Sequence, residues 1–265
     1  MESFEISERY VLAQRLARQA GELTLKYYRN AGLEVMNKRD GSPVTAADRE
    51  AELFLRKEIQ REFPGDTIVG EEFGITEGSS GFCWALDPID GTKSFITGVP
   101  LFGTMVAVID DSLPGNRRAV IGAVHLPGLD EGIYAMVGSG TWYYQGSQAA
   151  RLASVSRTAE LSECVVVSSS VEGFPKRGSS LERLANKVRF IRTWGDVYGY
   201  LLVATGRADL MIDPEMNLWD AAAVQPIIEE AGGRFTDWKN RQVIDGGDAI
   251  GSNGLVHQQV LRIIG

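Results

Sequence analysis

Apolar residues at Leu12, Leu16, Ala20, Leu23 and Tyr27 recur at intervals of three and four between Ser7 and Tyr28, with Glu8, Arg15 and Arg18 off that face. This is the period of an amphipathic helix, and Asn30 and Gly32 are placed to end it. After a polar loop, Thr45 to Phe63 repeats the pattern through Ala51, Leu55 and Ile59 and stops at Pro64-Gly65, so two helices are predicted before any strand. β-rich runs follow: Thr67 to Val69, Phe82 to Leu86, Thr104 to Ile109, Ala119 to Val124, Ile133 to Val137 and Thr141 to Tyr144. Tight turns between the later runs predict an antiparallel sheet.

From about residue 150 strands and helices alternate, which predicts a second, more parallel sheet in an α/β (α+β) protein. Cys164 to Ser168, Phe190-Ile191 and Asp209 to Ile212 read as strands. Asp196 to Thr205, closed by Gly206, and Trp219 to Ala231, closed by Gly232-Gly233, read as helices. A boundary near Arg151 would divide an N-terminal domain, residues 1–150, with the helix pair and the antiparallel sheet, from a C-terminal mixed-sheet domain, residues 151–265. With no long linker, the two would share a cleft.

At 265 residues, 44% hydrophobic and 23% charged, the chain has the composition of an ordinary globular protein. Its 27 Lys+Arg against 35 Asp+Glu give a net charge of −8, which argues against nucleic acid or an anionic membrane as a partner. Only His125, His257, Cys83 and Cys164 carry nitrogen or thiolate ligands, so a zinc finger, an iron–sulfur cluster and a His-ligated iron site are set aside. Both cysteines lie in apolar runs and are expected to be buried, reduced thiols. The start, Met1-Glu2-Ser3-Phe4-Glu5, has no signal-peptide pattern, and no apolar stretch approaches the roughly 20 residues that span a bilayer. A cytoplasmic protein is the expectation.

Three acidic clusters sit at predicted strand exits or helix starts: Glu71-Glu72, the run from Asp87 to Thr92, and Trp219-Asp220. Adjacent carboxylates with no basic neighbour in sequence need solvent or a cation to offset their repulsion. In Asp87-Pro88-Ile89-Asp90-Gly91-Thr92, Pro88 holds Asp87 extended and Gly91 permits a sharp turn, so both aspartates can surround one point. Gly91-Thr92-Lys93-Ser94 opens a short predicted helix ending at Gly98, whose free N–H groups suit a phosphate. An Asx turn with an N-cap is the simpler alternative for either aspartate, and a plain helix-start acid is the alternative for Asp220. Carboxylates without histidine or thiolate select Mg²⁺ or Mn²⁺, and two such ions sharing carboxylates are the apparatus of phosphoryl hydrolysis.

Gly70-Glu71-Glu72, the Asp87 to Thr92 run, and Trp219-Asp220 with Glu230-Ala231-Gly232-Gly233 downstream resemble the inositol monophosphatase family of Mg²⁺-dependent phosphatases over essentially the whole chain. The resemblance implies a layered α-β-α-β-α fold, two or three Mg²⁺ ions, a small phosphate ester as substrate and a homodimer. It implies that Glu71, Asp87 and the Ile89 carbonyl hold one ion, that Asp87, Asp90 and Asp220 hold a second, and that Glu72 assists a weaker third. It also implies that Thr92 and Asp48, with Glu71, activate the attacking water, and that Gly91 and Thr92 bind phosphate. Thr45 and Asp48 equally fit a capping box, and one residue can serve both purposes.

Within the family, the stretches Asp90 to Gly98 with Pro100-Leu101-Phe102-Gly103, and Arg192-Thr193-Trp194-Gly195-Asp196-Val197-Tyr198-Gly199-Tyr200, resemble the histidinol-phosphate phosphatase branch; inositol phosphate or a broader set of esters is the alternative. Histidinol carries an amine and an imidazole, so acceptors near the leaving group are expected, with Asp196 and Glu215 as candidates and Arg192 at the cleft side of its strand. An N-cap for Asp196 and a solvated loop acid for Glu215 are the alternatives. Asp213 holds the family's spacing relative to Asp220 where Glu215 does not. Lys93 can attract phosphate or face solvent, and Trp84, Trp194 and Trp219 are expected to pack in or near the core.

Overall fold

A computed structural model describes residues 2–38, 41–112, 117–179 and 181–264. Helix α1 (Glu2–Thr24) and helix α2 (Ala46–Glu62) lie against one face of an eight-stranded sheet. Their inward residues Leu12, Leu16, Ala20, Ala51, Leu55 and Ile59 are at most 5% exposed. The helix stops at Thr24 rather than Tyr28, and the chain turns so that the Tyr28 hydroxyl and the Arg29 guanidinium donate to the Gly98 carbonyl. That tertiary attachment overrides the helical period. The segment between the helices, expected as a polar loop, contains a small hairpin, β1 (Val35–Asn37) with β2 (Pro43–Thr45). Three-residue strands with one exposed member leave no alternation to detect.

The large sheet runs β10-β9-β8-β7-β6-β5-β3-β4, with β3 (Thr67–Gly70) parallel to β5 (Phe82–Asp90) and every other neighbour antiparallel. β4 is Gly74–Thr76, β6 Gly103–Asp110, β7 Arg118–Leu126, β8 Glu131–Met136, β9 Thr141–Gln145 and β10 Arg151–Leu152. Alternation assigns its two faces. Trp84, Leu86, Val106 and Val108 point to α1 and α2, while Cys83, Ala85, Met105 and Ala107 point to the helices beneath.

Those helices, α6 (Asp196–Ala204) and α7 (Leu218–Glu230), separate the first sheet from a second of order β12-β11-β13-β15-β14. Here β11 (Val165–Val167), β12 (Phe190–Arg192) and β13 (Leu210–Asp213) are parallel, and β15 (Ala249–Ser252) and β14 (Arg234–Thr236) continue antiparallel. Phe174 and Leu184 of the short helices α4 (Gly173–Lys176) and α5 (Leu181–Ala185), with Val260 and Ile264 of α8 (His257–Ile264), cover the outer face. The result is α-β-α-β-α layering. Both cysteines are free and buried. Among the described residues no helix is long and apolar enough to cross a membrane.

Candidate active site

Strand β5 delivers the central acids. Asp87 Oδ1 accepts from the Ile89 amide at 3.0 Å, and the Thr104 hydroxyl donates to the Pro88 carbonyl at 2.8 Å, which fixes the turn after the strand. Gly91 adopts φ +86°, and a Cβ there would stand 2.9 Å from the Leu101 carbonyl and 3.1 Å from Asp196 Oδ2. Only glycine suits that position. Thr92 opens the short helix α3 (Thr92–Ile96), and its hydroxyl donates to the Ile89 carbonyl at 3.0 Å.

Two helix-start acids belong to this group: Asp220 lines the cleft, and Asp48 is buried within repulsive reach of Glu71. Asp48 Oδ2 accepts from the Thr45 amide at 2.8 Å and the Thr45 hydroxyl at 2.6 Å, completing the capping box of α2, while its Oδ1 is buried with no hydrogen-bond partner. Asp220 repeats the device on α7, where Oδ2 accepts from the Asn217 amide at 2.8 Å. One carboxylate oxygen from each of Asp87, Asp90 and Asp220 lies within 4.8 Å of the others. Glu71, Asp87, Ile89, Asp90, Thr92 and Asp220 all line one cleft of about 640 Å³.

Burial raises Asp87, Asp90, Asp220 and Asp48, and repulsion from neighbouring acids adds to it. Asp87 is pushed well up by desolvation and then by Glu71, Asp90 and Asp220, and Asp90 by desolvation and then by Asp196 and Asp220. Asp220 is pushed up to about 7, chiefly by burial. Asp48 is raised by burial against the opposing hydrogen bonds of its cap, with Glu71 repelling it. Glu72 rises to about 7 because desolvation outweighs its bond to Lys38. Lys38, inconspicuous in the sequence, donates from Nζ to Glu71 Oε1 and to Glu72 Oε1, both at 2.6 Å. An ammonium thus already stands against two of these carboxylates.

A smaller recess of about 110 Å³ adjoins the cluster, lined by Asp90, Ser169, Asp196, Tyr200, Asp213 and Asp220 among others. Asp196 takes φ +53°, a left-handed conformation rare outside glycine, with its amide donating to Ser169 Oγ at 2.7 Å. Its carboxyl rises to about 6 and that of Asp213 to about 7, both chiefly through burial. Asp196 does not cap α6 through its own side chain, for Gly195 occupies the N-cap position.

Other expected residues stand elsewhere. Arg192 lies outside the cleft: it is on the edge strand β12, its guanidinium over the Phe190 ring at 5.2 Å and its Nη1 bonded to the Ile191 carbonyl. Glu215 lines the cleft rim but is exposed and paired with Lys176 at 2.7 Å. Trp194 is 44% exposed rather than packed in the core, whereas Trp84 is fully buried and donates to Asp66 Oδ2. Trp219 stands in the cleft wall, with Nε1 buried and unpartnered. Lys93 also lines the cleft.

The convergence of Asp87, Asp90 and Asp220 with no histidine or thiolate among them, and the unpartnered buried oxygen of Asp48 beside Glu71, fit a hard divalent cation. The class defined by fold and site is therefore a layered α-β-α-β-α protein with a carboxylate centre for such ions. The family model described as "Inositol monophosphatase family" matches residues 5–264, and the chain belongs to that metal-dependent family. It is 41% identical to the histidinol-phosphatase of Chlorobaculum parvum over 96% of this chain and 95% of the relative, and 38% identical to that of Mycobacterium tuberculosis over 95% of each. Among solved structures it is similar to the Thermotoga maritima IMPase, with a TM-score of 0.81 and 31% identity over 100% of this chain and 97% of that one.

Proposed function

We propose that the chain is a Mg²⁺-dependent phosphomonoesterase that hydrolyses L-histidinol phosphate to L-histidinol and phosphate. The observation that carries it is the adjacency of two acidic features of different kind: the Asp87–Asp90–Asp220 cluster, suited to cations, and the recess lined by Asp196 and Asp213. A leaving group bearing a protonated amine suits the recess, whereas a neutral polyol would leave its carboxylates without a counter-charge. The similarity to two histidinol-phosphatases supports the same substrate.

In this reading Glu71, Asp87 and the Ile89 carbonyl would hold one Mg²⁺; Asp87, Asp90 and Asp220 would hold a second; and Glu72 would support a third. The chemistry such ions would supply there is neutralisation of the phosphate charge and a lower pKa for the attacking water. The amides of Gly91 and Thr92 donate to phosphate oxygens. Thr92 Oγ1, whose hydroxyl donates a hydrogen bond to the Ile89 carbonyl, would present a lone pair that orients the water, and Asp48 Oδ1 would take the proton the water loses. Burial raises the basicity of Asp48, which suits that task. As the water oxygen bonds to phosphorus, the ester P–O bond opposite breaks and the departing histidinol oxygen takes up a proton from solvent water. Asp196 and Asp213 hold the amine, with Glu215 at the rim.

Phosphate release from histidinol phosphate, inositol 1-phosphate, fructose bisphosphate and a nucleotide bisphosphate tests the assignment. The highest kcat/KM is expected for histidinol phosphate; a higher value for inositol 1-phosphate would transfer the assignment to the inositol branch.

A further inference from the structure

Glu52 is fully buried one helical turn beyond Asp48 on α2, yet it lines neither the main cleft nor the acidic recess beside it. Its carboxylate points into the turn joining β3 to β4, the turn that carries Glu71 and Glu72. Oε2 accepts from the Glu72 amide at 2.7 Å, and Oε1 accepts from the Phe73 amide at 3.2 Å. Two successive N–H groups directed at one anion make a nest, an arrangement usually filled by a phosphate or another ligand. Here the anion is supplied by the chain itself. Oε1 also accepts from Arg56 Nε at 2.7 Å, which matches the charge, and Arg56 continues to Thr76 Oγ1 at 2.9 Å and to the Gly74 carbonyl, so its other donors are satisfied on the far side of the turn.

The fit leaves little freedom. A Cβ on Gly70 would lie 2.1 Å from Glu52 Oε1, so the glycine before the acid pair admits the carboxylate and any other residue would expel it. From the opposite side the Glu71 amide donates to the Leu86 carbonyl at 3.2 Å. Glu71 is thereby tied to β5, which bears Asp87 and Asp90, and Glu72 and Phe73 are tied to α2, which bears Asp48.

We infer that Glu52, with Arg56 as its counter-charge, is a positioning residue for the metal centre: it sets the direction of the Glu71 and Glu72 carboxylates relative to Asp48 and Asp87 without touching an ion itself. The inference rests on the metal reading given under Proposed function. Partners that orient metal ligands in this way commonly alter metal affinity by about 10- to 100-fold when removed.

The test is calorimetric titration of Mg²⁺ into chelator-stripped protein, with Glu52→Gln and Glu52→Asp compared to wild type after circular dichroism has established that each is folded. Gln presents an NH₂ to one of two N–H groups, and Asp keeps the charge but falls short by one methylene. Each variant is expected to bind Mg²⁺ at least about 10-fold more weakly. A purely structural role would lower the melting temperature in chelator and leave the affinity of the folded protein unchanged, so a folded variant within twofold of wild type overturns the inference. Hydrogen exchange of the wild type gives a second readout that needs no variant. The Glu72 and Phe73 amides are expected to be protected with and without Mg²⁺, and free exchange of both would also overturn it. Absence of Mg²⁺ binding by wild type would refute the metal reading instead.

Discussion

Asp48 divides one carboxylate between two tasks, and the division makes them separable by substitution. Oδ2 takes both bonds of the cap, while Oδ1 is buried without a partner. In Asp48→Asn the amide oxygen can still accept from Thr45, but the NH₂ now in the place of Oδ1 cannot take a proton. The expected outcome is a fall in kcat of about 10²- to 10⁴-fold with a loss of stability within about 1 kcal/mol, checked by steady-state kinetics beside denaturant unfolding. Near-normal turnover would remove Asp48 from the chemistry. Asp220 follows the same plan on α7: both acids complete capping boxes, and Asp220 also joins the carboxylate cluster.

At the level of elements, α1 is held to the sheet by a buried ionic knot as well as by its apolar stripe. Arg9 makes two 2.7 Å bonds to Asp66, between the rings of Phe63 and Phe82, and Asp66 also accepts from Trp84 Nε1 and Ser80 Oγ. Asp66→Ala leaves the Arg9 charge buried and unmatched, so a loss of about 3 to 5 kcal/mol is expected in urea unfolding. A loss below about 1 kcal/mol would show that solvent reaches the site. The long elements were legible in the sequence because their hydrophobic period matches their burial, as Leu12, Leu16 and Ala20 illustrate. The acids of β5 were legible because proline and glycine around them dictate the turn. What escaped depends on contacts distant in sequence: Lys38 sits on a hairpin of three-residue strands, Glu52 is an ordinary helical glutamate until Gly70 lies beneath it, and Arg192 lies on an edge strand with its guanidinium over Phe190, away from the cleft.

Across the whole molecule the net charge of −8 is unevenly distributed, with Glu71, Asp87, Asp90, Asp196 and Asp220 lining one cleft, Asp213 in the adjoining recess, and Asp48 and Glu72 within repulsive reach of Glu71. Glu72, Asp213 and Asp220 are each pushed up to about 7 in the fold, chiefly by burial, against about 3.9 to 4.3 for an unfolded carboxyl. A carboxylate raised by folding contributes stability that is complete below the unfolded pKa and is lost as pH rises through the folded one. Both histidines are depressed by burial, His257 to about 4, and because an unfolded imidazole is half protonated near about pH 6.5 and neutral only by about pH 8, they offset part of the acids' effect in the lower half of the range from about pH 6.5 to 8.5. In chelator, stability is therefore expected to fall by about 1 to 2 kcal/mol between pH 6.5 and 8.5. Millimolar Mg²⁺ should abolish or reverse the fall, because the ion binds the deprotonated acids. Thermal melts across that range check it, and a flat profile in chelator would mean that the acids are not confined together.

The most direct measurement is phosphate release from histidinol phosphate at neutral pH, with millimolar Mg²⁺ and then with excess chelator. The predicted result is multiple turnover with Mg²⁺, loss of at least about 10³-fold in chelator, and recovery when Mg²⁺ is restored. Release that persists undiminished in chelator, or no release with Mg²⁺ present, would contradict the account.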